Sequence, residues 1–273
     1  MRHFDRFDAR RVPSPCFVVD EVALEENLQL LAHVQRESGA RILLALKAFS
    51  MFSMAPLVRR YLSGTCASGL HEARLGREEY GGEVHTFCAA FTEPDLREVL
   101  ALSDHVVFNS FGQFERFRPL LEEALAARPG LQLGMRVNPE HSEGAVPLYD
   151  PCAPCSRLGV PLSQFRADHL GLPSGLHFHT LCEQDFPPLA RTVQAFEQKF
   201  GDFIPRMKWI NFGGGHHITR PGYQVEELIR LLADFRARHG VQVYLEPGEA
   251  IAYTGGVLVS EVLDLTWNHM PQA

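Results

Sequence analysis

The 273-residue sequence has no apolar run near the ~18 residues that a membrane-spanning helix requires. Its first residues, Met1 to Asp8, also lack the apolar core of a signal peptide. We therefore expect a cytoplasmic protein without a membrane partner. The chain has 26 basic side chains against 33 acidic ones, so we expect no nucleic-acid partner. The net charge of −7 is compatible with a small cationic substrate.

Paired cysteines are scarce as well. Of six cysteines, Cys152 and Cys155 alone form a CxxC spacing, and the second pair that a four-cysteine zinc site needs is absent. We therefore favour a structural or substrate-loop role for these two thiols over metal binding. The remaining thiols are scattered, and several end apolar runs, where reduced cysteine packs as a small hydrophobe.

Short runs rich in Val, Ile, Leu and Phe alternate along the chain with amphipathic helical patterns, which is typical of βα units around a parallel sheet. The predicted barrel strands are Ile42–Leu46, Thr65–Ala67, Val84–Phe87, His105–Phe108, Leu131–Val137, Gly175–His179, Lys208–Phe212 and Val241–Glu246. The predicted helices between them are Ala55–Tyr61, His71–Tyr80, Glu93–Leu102, Gln113–Ala127, Phe186–Phe200 and Val225–His239. This pattern predicts an α/β fold, the (β/α)8 TIM barrel.

The flanks of the barrel predict a second, β-rich domain. Residues 1–20 contain the strand Pro15–Asp20, and residues 254–273 contain the alternating strand Gly256–Thr266. Between them, residues 21–253 form the predicted barrel, which begins with the helix Glu21–Ser38. Because two strands alone are marginally stable and the chain stops at Ala273, we expect that this second domain is incomplete.

Polar residues and glycines follow nearly all of the predicted barrel strands. Active sites of (β/α)8 barrels lie at the carboxyl ends of the strands, so these residues define one candidate surface. They are Lys47, Ser68, Asn109, Arg136, Asn138, His179, Gly213, Gly214, Gly215 and Glu246.

Lys47 closes an apolar run that begins at Arg41. Burial of an ammonium at the end of a parallel strand costs free energy and lowers the pKa of the amine, which favours attack on an aldehyde. The alternative is a side chain that reaches the rim of the sheet and has no chemical role.

The glycine triplet Gly213–Gly215 follows the seventh predicted strand, where many barrels bind phosphate through backbone N–H groups. A lysine amine opposite a phosphate site predicts pyridoxal phosphate (PLP), bound as a Schiff base. Glu246 could then keep the pyridine nitrogen protonated, and His179 could stack on the ring. The alternative for Glu246 is an ion pair with Arg136, and both roles can coexist.

These residues stand in an order that resembles the fold type III PLP decarboxylases, whose barrel is alanine-racemase-like and which include the ornithine and diaminopimelate enzymes. The resemblance rests on Ala45–Phe49, Cys66–Gly69, Arg136–Pro139, Ser156–Gly159, His177–His179, Gly213–Gly215 and Glu246–Gly248. Longer strings are similar to the carboxynorspermidine/carboxyspermidine decarboxylases in particular: Asn138–Glu143, Tyr149–Pro154, Gly175–Gln184 and Leu245–Ala250.

The resemblance implies a PLP-dependent carboxy-lyase of polyamine biosynthesis that forms norspermidine or spermidine. It implies catalytic roles for Lys47, His179 and Glu246. Cofactor contacts would come from Lys47, Ser68, Arg136, His179, Gly213, Gly214, Gly215 and Glu246. The cationic substrate would be bound by Glu249, Glu183, Glu143 and Asp150, and no metal is expected. It also implies a homodimer with shared active sites.

Two departures from the family pattern affect these expectations. Glu249 stands where the ornithine enzymes carry a phosphate-binding arginine, so the phosphate would depend on backbone amides and on His216 or His217. The chain also ends before the segment that carries the family's acid cysteine and other contacts to a neighbouring active site. We therefore expect the chain to bind the cofactor and to decarboxylate poorly on its own.

Three other functions stay open. The chain could be another fold type III decarboxylase, of the diaminopimelate or ornithine type. It could be a metal-dependent barrel hydrolase, because several potential ligands lie on one rim: His177, His179, His216, His217 and Glu246. It could also be a PLP-binding protein without catalytic activity.

Overall fold

The computed structural model describes residues 4–144 and 146–268. The strands are β1 (Cys16–Val19), β2 (Arg41–Ala45), β3 (Gly64–Ala67), β4 (Glu83–Phe87), β5 (His105–Phe108), β6 (Gln132–Asn138), β7 (Val160–Pro161), β8 (Gly175–His177), β9 (Trp209–Asn211), β10 (Gln242–Leu245) and β11 (Gly256–Val259). The α-helices are α1 (Glu21–Ser38), α2 (Ala55–Val58), α3 (Leu70–Leu75), α4 (Glu93–Leu102), α5 (Phe111–Arg116), α6 (Arg118–Ala127), α7 (Phe186–Phe200), α8 (Val225–His239) and α9 (Glu249–Ala252). A π-helical turn, Gly76–Tyr80, continues α3, and short 3-10 turns occupy several loops: Ala9–Arg11, Phe52–Met54, Pro147–Tyr149, Leu162–Gln164, Ala167–His169 and Gly201–Arg206.

Eight parallel strands of the described chain close into a barrel in the order β2, β3, β4, β5, β6, β8, β9, β10. Closure occurs where β10 pairs with β2, with Tyr244 beside Arg41. The short β7 pairs with the end of β6 through Val137 and Val160. The predicted (β/α)8 fold is therefore confirmed, with β7 added outside the ring of eight.

One large ring fills much of the barrel interior. Trp209 of β9 is 1% exposed and packs with Leu43, Val107 and Tyr244. A Cβ added to Gly175 would lie 2.0 Å from the indole of Trp209. The neighbouring strand therefore carries glycine so that the tryptophan can occupy the barrel axis.

The helices pack their apolar stripes against the outside of the barrel. In α7, Leu189, Val193 and Phe196 recur at three- and four-residue spacing and are at most 1% exposed. Burying one such side chain contributes roughly 1.5–3 kcal/mol. Helix α1 begins where the Asp20 carboxylate accepts the N–H groups of Val22 and Ala23.

Several predicted bounds were wrong. The predicted helix Gln113–Ala127 is broken into α5 and α6 at Phe117, one residue before Arg118-Pro119, because proline cannot continue the preceding hydrogen-bond ladder. Strand β8 ends at His177 and not at His179, because its partner β9 ends at the paired Asn211. The predicted helix Ala55–Tyr61 ends as an α-helix at Val58.

The two flanking strands pair with each other, β1 antiparallel to β11, with Cys16 opposite Val259. The strand predicted to reach Thr266 ends at Val259, because its partner begins at Cys16 and the preceding Pro15 has no N–H to donate. The assignment of these flanks to a second domain stays a prediction, and its ends, residues 1–3 and 269–273, lie outside the described residues. No helix in the described part of the chain is long and apolar enough to cross a membrane.

Candidate active site

The carboxyl ends of the barrel strands surround a cavity of about 310 Å³, which is within the size range of small-molecule sites. The predicted site residues that line this central cavity are Lys47, Ser68, Arg136, His179 and Glu246. Other side chains with possible chemical roles also line it: Cys66, Glu72, Phe87, Arg157 and His177.

Lys47 lies on a turn just beyond β2. The Ala48 and Phe49 N–H groups donate to the Ala45 carbonyl at 3.1 and 3.3 Å, and this turn directs the chain away from the strand. The predicted burial of Lys47 is wrong: Leu46 is the last buried residue of the run, and Lys47 is exposed. No described residue pairs with the Lys47 amine, which is therefore accessible from the central cavity.

Glu246 follows β10 and is 12% exposed. Its Oε1 accepts a hydrogen bond from Asn211 Nδ2 at 2.7 Å, and its Oε2 lies 3.4 Å from His177 Nε2. Burial alone would raise the pKa of Glu246, but the neighbouring His177 ring and the hydrogen bond from the Asn211 amide outweigh burial and hold that pKa well below its usual value. Glu246 is therefore ionised at neutral pH.

Arg136, on β6, does not form the ion pair with Glu246 that was considered as an alternative. Its NH2 group donates to the His179 carbonyl at 2.9 Å, and its guanidinium carbon lies 4.6 Å from the centre of the Phe87 ring. Burial lowers the pKa of Arg136 to about 10, so the guanidinium is still charged at neutral pH. Arg136 thus ties the segment after β8 to β6.

His179 is held as a neutral ring. The Gly214 N–H donates to His179 Nδ1 at 3.1 Å, so the proton of the neutral ring is assigned to Nε2. Burial and the positive charge of Lys47 lower the pKa of His179 well below its usual value. A neutral, flat imidazole therefore faces the central cavity, where it can stack on an aromatic group.

The glycine turn lies behind the cavity wall and does not line it. A Cβ on Gly214 would lie 2.0 Å from the Glu246 carbonyl, and one on Gly215 would lie 2.0 Å from the Leu181 carbonyl, so close backbone packing requires glycine. The Gly213 N–H donates to Asn211 and the Gly214 N–H donates to His179. Of the three N–H groups, only that of Gly215 has no partner within the described residues.

Ser68 and Cys66 belong to the wall formed by β3 and its loop. Both the N–H and the hydroxyl of Ser68 donate to the Glu72 carboxylate at 2.8 Å. Burial, with a further contribution from Glu246, raises the pKa of the Cys66 thiol well above its usual value, so the thiol is protonated. Both hydrogen-bond donors of Ser68 are therefore already engaged by the Glu72 carboxylate.

The predicted acidic residues Glu143, Asp150 and Glu183 line a second cavity of about 260 Å³, not the central one. Its wall includes Thr180, next in the chain to His179, so the second cavity lies beside the first.

These three carboxylates differ in how far they are already engaged. Arg191 donates twice to Glu143 at 2.6 Å, and the Asp150 carboxylate accepts the Cys152 N–H at 2.7 Å. Glu183 is exposed, has a φ of +53°, and has no partner among the described residues. Its carboxylate is the one most open to a ligand.

Glu249 lines neither cavity. It begins α9, and its Oε2 lies 3.1 Å from His217 Nε2. The other candidate phosphate partner, His216, is buried, and its Nδ1 lies 2.7 Å from the Tyr223 hydroxyl. Both histidines therefore have partners within the protein.

A metal site at the central cavity was the competing prediction. One ligand atom from each of His177, His179 and Glu246 lies within 4.8 Å of the others. His179 Nδ1, however, already accepts the Gly214 N–H, so Nε2 carries the proton and has no lone pair for a metal. The tautomer of His179 favours an organic ligand over a metal.

Sequence reasoning gave no site role to Asn211, Glu72, Arg157 or Cys66. Cys66 and Arg157 stand inside strings that carried the family resemblance, and Asn211 lies two residues before the glycine triplet, so their positions were a usable signal. Glu72 and Arg157 come from a helix and a loop, and their approach to the cavity depends on how those segments pack.

Comparisons with known proteins bear on the class of this site. No protein-family model matches the chain. The carboxynorspermidine/carboxyspermidine decarboxylase of Campylobacter jejuni is 43% identical over 94% of this chain and 66% of its own length. The carboxyaminopropylagmatine decarboxylase of Synechocystis is 39% identical over 93% and 65%. The carboxynorspermidine/carboxyspermidine decarboxylase of Herminiimonas arsenicoxydans is 36% identical over 94% and 69%.

Solved structures give the same grouping. The carboxynorspermidine decarboxylase of C. jejuni, in complex with norspermidine, superposes with a TM-score of 0.82 at 42% identity, over 94% of this chain and 65% of that one. The diaminopimelate decarboxylase of Helicobacter pylori, in complex with L-lysine, has a TM-score of 0.77 at 17% identity, over 91% and 67%. The second likeness shows the fold alone.

The barrel and these likenesses place the chain in the class of fold type III decarboxylases. Within that class, the chain belongs to the carboxynorspermidine/carboxyspermidine decarboxylase family. It spans 66% and 65% of the length of the first two relatives.

Proposed function

We propose that the protein binds PLP through Lys47 and decarboxylates a carboxylated polyamine of the carboxynorspermidine and carboxyspermidine type. The observation that carries this proposal is the meeting of an accessible amine, a neutral imidazole and an ionised carboxylate around one cavity. The names of the C. jejuni and H. arsenicoxydans relatives supply the substrate class.

The residues of the central cavity fit the cofactor. Lys47 offers the amine for its aldehyde, Glu246 an acceptor for its ring nitrogen and His179 a flat face. Gly215, in the turn behind the cavity wall, has an N–H without a partner among the described residues, and we propose that it faces the phosphate. Ser68 and Arg136 complete the proposed cofactor contacts, with Gly213 and Gly214 shaping the turn. When bound, PLP supplies an electron sink for the electron pair left by the departing carboxylate.

The charge states of these residues suit that chemistry. An ionised Glu246 accepts a hydrogen bond from a protonated ring nitrogen and so favours the protonated form. His179, being neutral, adds no positive charge beside that ring. Lys47 can donate or accept a proton at Nζ, because it is accessible and has no partner among the described residues.

The second cavity suits the cationic part of the substrate. Glu183 is its least engaged carboxylate, and we propose that it binds a distal ammonium group. Glu143 and Asp150 would contribute negative potential more than direct contacts, because each has an internal partner. Glu249 would attract the cationic substrate from a position outside this cavity.

The Synechocystis relative gives a second candidate substrate, because carboxyaminopropylagmatine ends in a guanidinium and not in an ammonium group. A carboxylate such as Glu183 can pair with either cation, and bidentate geometry would favour the guanidinium. Both substrate types should therefore be assayed.

We further propose that the active protein is a cytoplasmic homodimer and that the flanks 1–20 and 254–273 belong to a second domain beside the barrel, residues 21–253. Exposed apolar side chains on β1 and β11 support a covered surface there: Phe17 is 77% exposed and Leu258 is 58% exposed. Strands β1 and β11 also pair with each other and not with the barrel.

The test is release of labelled carbon dioxide from carboxyl-labelled carboxynorspermidine, carboxyspermidine and carboxyaminopropylagmatine, with PLP added. We expect release from at least one, its loss in Lys47→Arg, and its retention in the matched control Lys208→Arg. PLP binding without release of carbon dioxide from any of the three substrates would indicate a PLP-binding protein without catalytic activity. Activity lost to a chelator and indifferent to Lys47→Arg would favour a metal enzyme.

A further inference from the structure

Asn211 ends β9 and is 1% exposed. Its side chain makes two hydrogen bonds within the described chain: Nδ2 donates to Glu246 Oε1 at 2.7 Å, and Oδ1 accepts the Gly213 N–H at 2.8 Å. One buried amide therefore joins the carboxylate of the proposed cofactor site to the glycine turn.

The chemistry of the two partners fixes the orientation of this amide. The Gly213 N–H can only donate, so it must face Oδ1, and Nδ2 is left to face Glu246. Because Nδ2 can only donate, its 2.7 Å contact is satisfied when the facing Glu246 oxygen is an acceptor. The Asn211 amide thus favours the ionised form of Glu246, whose oxygens accept a hydrogen bond more strongly than those of the neutral acid.

The glycine turn carries this restraint further. The Glu246 N–H donates to the Gly213 carbonyl at 2.8 Å, so Gly213 and Glu246 are joined both directly and through Asn211. The next N–H, of Gly214, fixes the ring of His179. Asn211 therefore lies at the centre of a network that holds both groups proposed to contact the cofactor ring.

We propose that Asn211 is a positioning residue that keeps Glu246 ionised and aimed at the pyridine nitrogen of the cofactor. This inference rests on the proposed function, because it assigns a purpose to the Glu246 carboxylate. It differs from a purely structural role, in which Asn211 would serve only to close the Gly213 turn.

Other titratable groups also face Glu246 and must be considered in any pH experiment. They are His177 at the end of β8, His179 after it, Arg136 on β6, Cys66 on β3 and Lys47 beyond β2. All are common to the protein and its variants, so a difference in pH dependence on changing Asn211 reports on Asn211 and Glu246.

Asn211→Asp separates the two roles. An Asp oxygen can still accept the Gly213 N–H, whereas the donor to Glu246 becomes a second carboxylate. Two adjacent buried carboxylates share one proton, because both cannot easily be charged at once. The pKa for loss of this shared proton is therefore raised, and we expect the loss near or above neutral pH.

A group whose pKa is raised on folding stabilises the folded protein at low pH. This contribution is lost as pH rises through the folded-state pKa. We therefore expect the unfolding equilibrium constant of the cofactor-free variant to rise by up to about tenfold per pH unit between pH 6 and 9, relative to the unsubstituted protein. Chemical denaturation at each pH measures this constant. Equal pH dependence of the two proteins would contradict the pairing.

Asn109→Asp is the matched control. Asn109 follows β5, donates from Nδ2 to the Arg157 carbonyl at 2.7 Å, and accepts the Gly159 N–H at 2.8 Å. It has the same two-bond arrangement without a facing carboxylate, so we expect no shared-proton effect in this variant. A slope equal to that of Asn211→Asp would show that any such Asp produces it.

The double variant N211D/E246Q reverses donor and acceptor, because the amide of Gln can donate to Asp. We expect its stability to regain the pH dependence of the unsubstituted protein. If N211D alone does not fold, folding of the double variant supports the pairing. Failure of both variants to fold, or a double variant as pH-sensitive as N211D, would overturn it.

Cofactor binding completes the test, with PLP titrated by absorbance at pH 8. We expect N211D to bind at least about tenfold more weakly than the unsubstituted protein and the N109D control. Equal binding by all three would overturn the positioning role alone. Absence of binding by the unsubstituted protein would overturn the proposed function and, with it, this role.

Discussion

The two ends of the barrel carry nearly the same residue types. At the carboxyl end, His177, His179 and Glu246 stand near Arg136. At the amino end, a second group, His85, His105 and Glu83, has its ligand atoms equally within 4.8 Å, and Arg41 pairs with Glu83. Composition alone would give both groups the same chemistry.

Their surroundings differ. The His85 and His105 rings stack at 3.8 Å between centres, and the Trp209 ring lies 4.7 Å from that of His105. Tyr244 donates to Glu83 at 3.0 Å. The carboxyl-end group instead lines the central cavity of about 310 Å³.

The difference shows that open space decides which cluster can take a ligand. At the amino end the barrel strands begin and the Trp209 and Tyr244 rings fill the interior. At the carboxyl end the chain leaves the strands in turns that expose Lys47 and hold the His179 ring against the cavity. We therefore expect substitutions at the carboxyl end to affect chemistry and those at the amino end to affect stability.

The largest expected contrast is between Glu246→Gln and Glu83→Gln. Glu246→Gln should lower the rate of decarboxylation roughly 10²-fold or more, because it removes the charge that favours a protonated ring nitrogen. Glu83→Gln should leave the rate constant unchanged and lower the free energy of unfolding by about 1.5–3 kcal/mol, because Arg41 and His85 lose a charged partner. Steady-state kinetics and denaturant unfolding measure the two effects. An equal loss of decarboxylation rate in the two variants would contradict a functional difference between the two ends of the barrel.

Gly175→Ala tests how fully the interior is occupied. The added Cβ would lie 2.0 Å from the Trp209 ring, so we expect destabilisation of about 1–3 kcal/mol in denaturant unfolding. Gly171→Ala is the control, because a Cβ there meets nothing within 4 Å. If both variants unfold at the same denaturant concentration, the packing around Trp209 is looser than described.

His105→Phe tests the charge state of the amino-end group. Burial and the neighbouring His85 lower the pKa of His105 far below its usual value, so below about pH 6.5 the unfolded state binds one more proton there than the folded state. Stability therefore falls as pH decreases, by up to about 1.4 kcal/mol per pH unit. His105→Phe should remove this contribution, and denaturant unfolding at pH 7 and pH 5 measures it. An unchanged dependence on pH would mean that His105 is not held neutral.

The smallest expected effect is at Glu249. Glu249→Gln should raise KM for the polyamine roughly threefold, because one half-exposed charge is lost, and should leave PLP affinity intact. The control is Glu123→Gln on the exposed face of α6. Loss of PLP instead of an increase in KM would refute a role for Glu249 in substrate binding.

The sequence predicted the barrel because the fold depends on periodic burial and on strand count. Helices α1, α4, α7 and α8 begin and end where the pattern placed them. The same reasoning brought Lys47, His179 and Glu246 to one rim, since parallel strands all end on the same side.

Contacts between side chains that are distant in sequence could not be predicted. Periodicity did not indicate that Arg191 would form an ion pair with Glu143. It also did not indicate that Arg136 would donate to the His179 carbonyl and not to Glu246. The exposure of Lys47 depends on where β2 ends, and one residue decides it. Asn211 was missed because its role depends on two partners, Gly213, two residues away, and Glu246, which follows β10.

The central claim is that Lys47 at the carboxyl end holds the cofactor. The chain has three lysines, Lys47, Lys199 and Lys208, so the site of attachment can be assigned without ambiguity. The direct measurement is borohydride reduction in the presence of PLP, followed by peptide mass mapping. The account predicts one reduced pyridoxyl group per chain, on Lys47. Label confined to Lys199 or Lys208, or no label at saturating PLP, would contradict it.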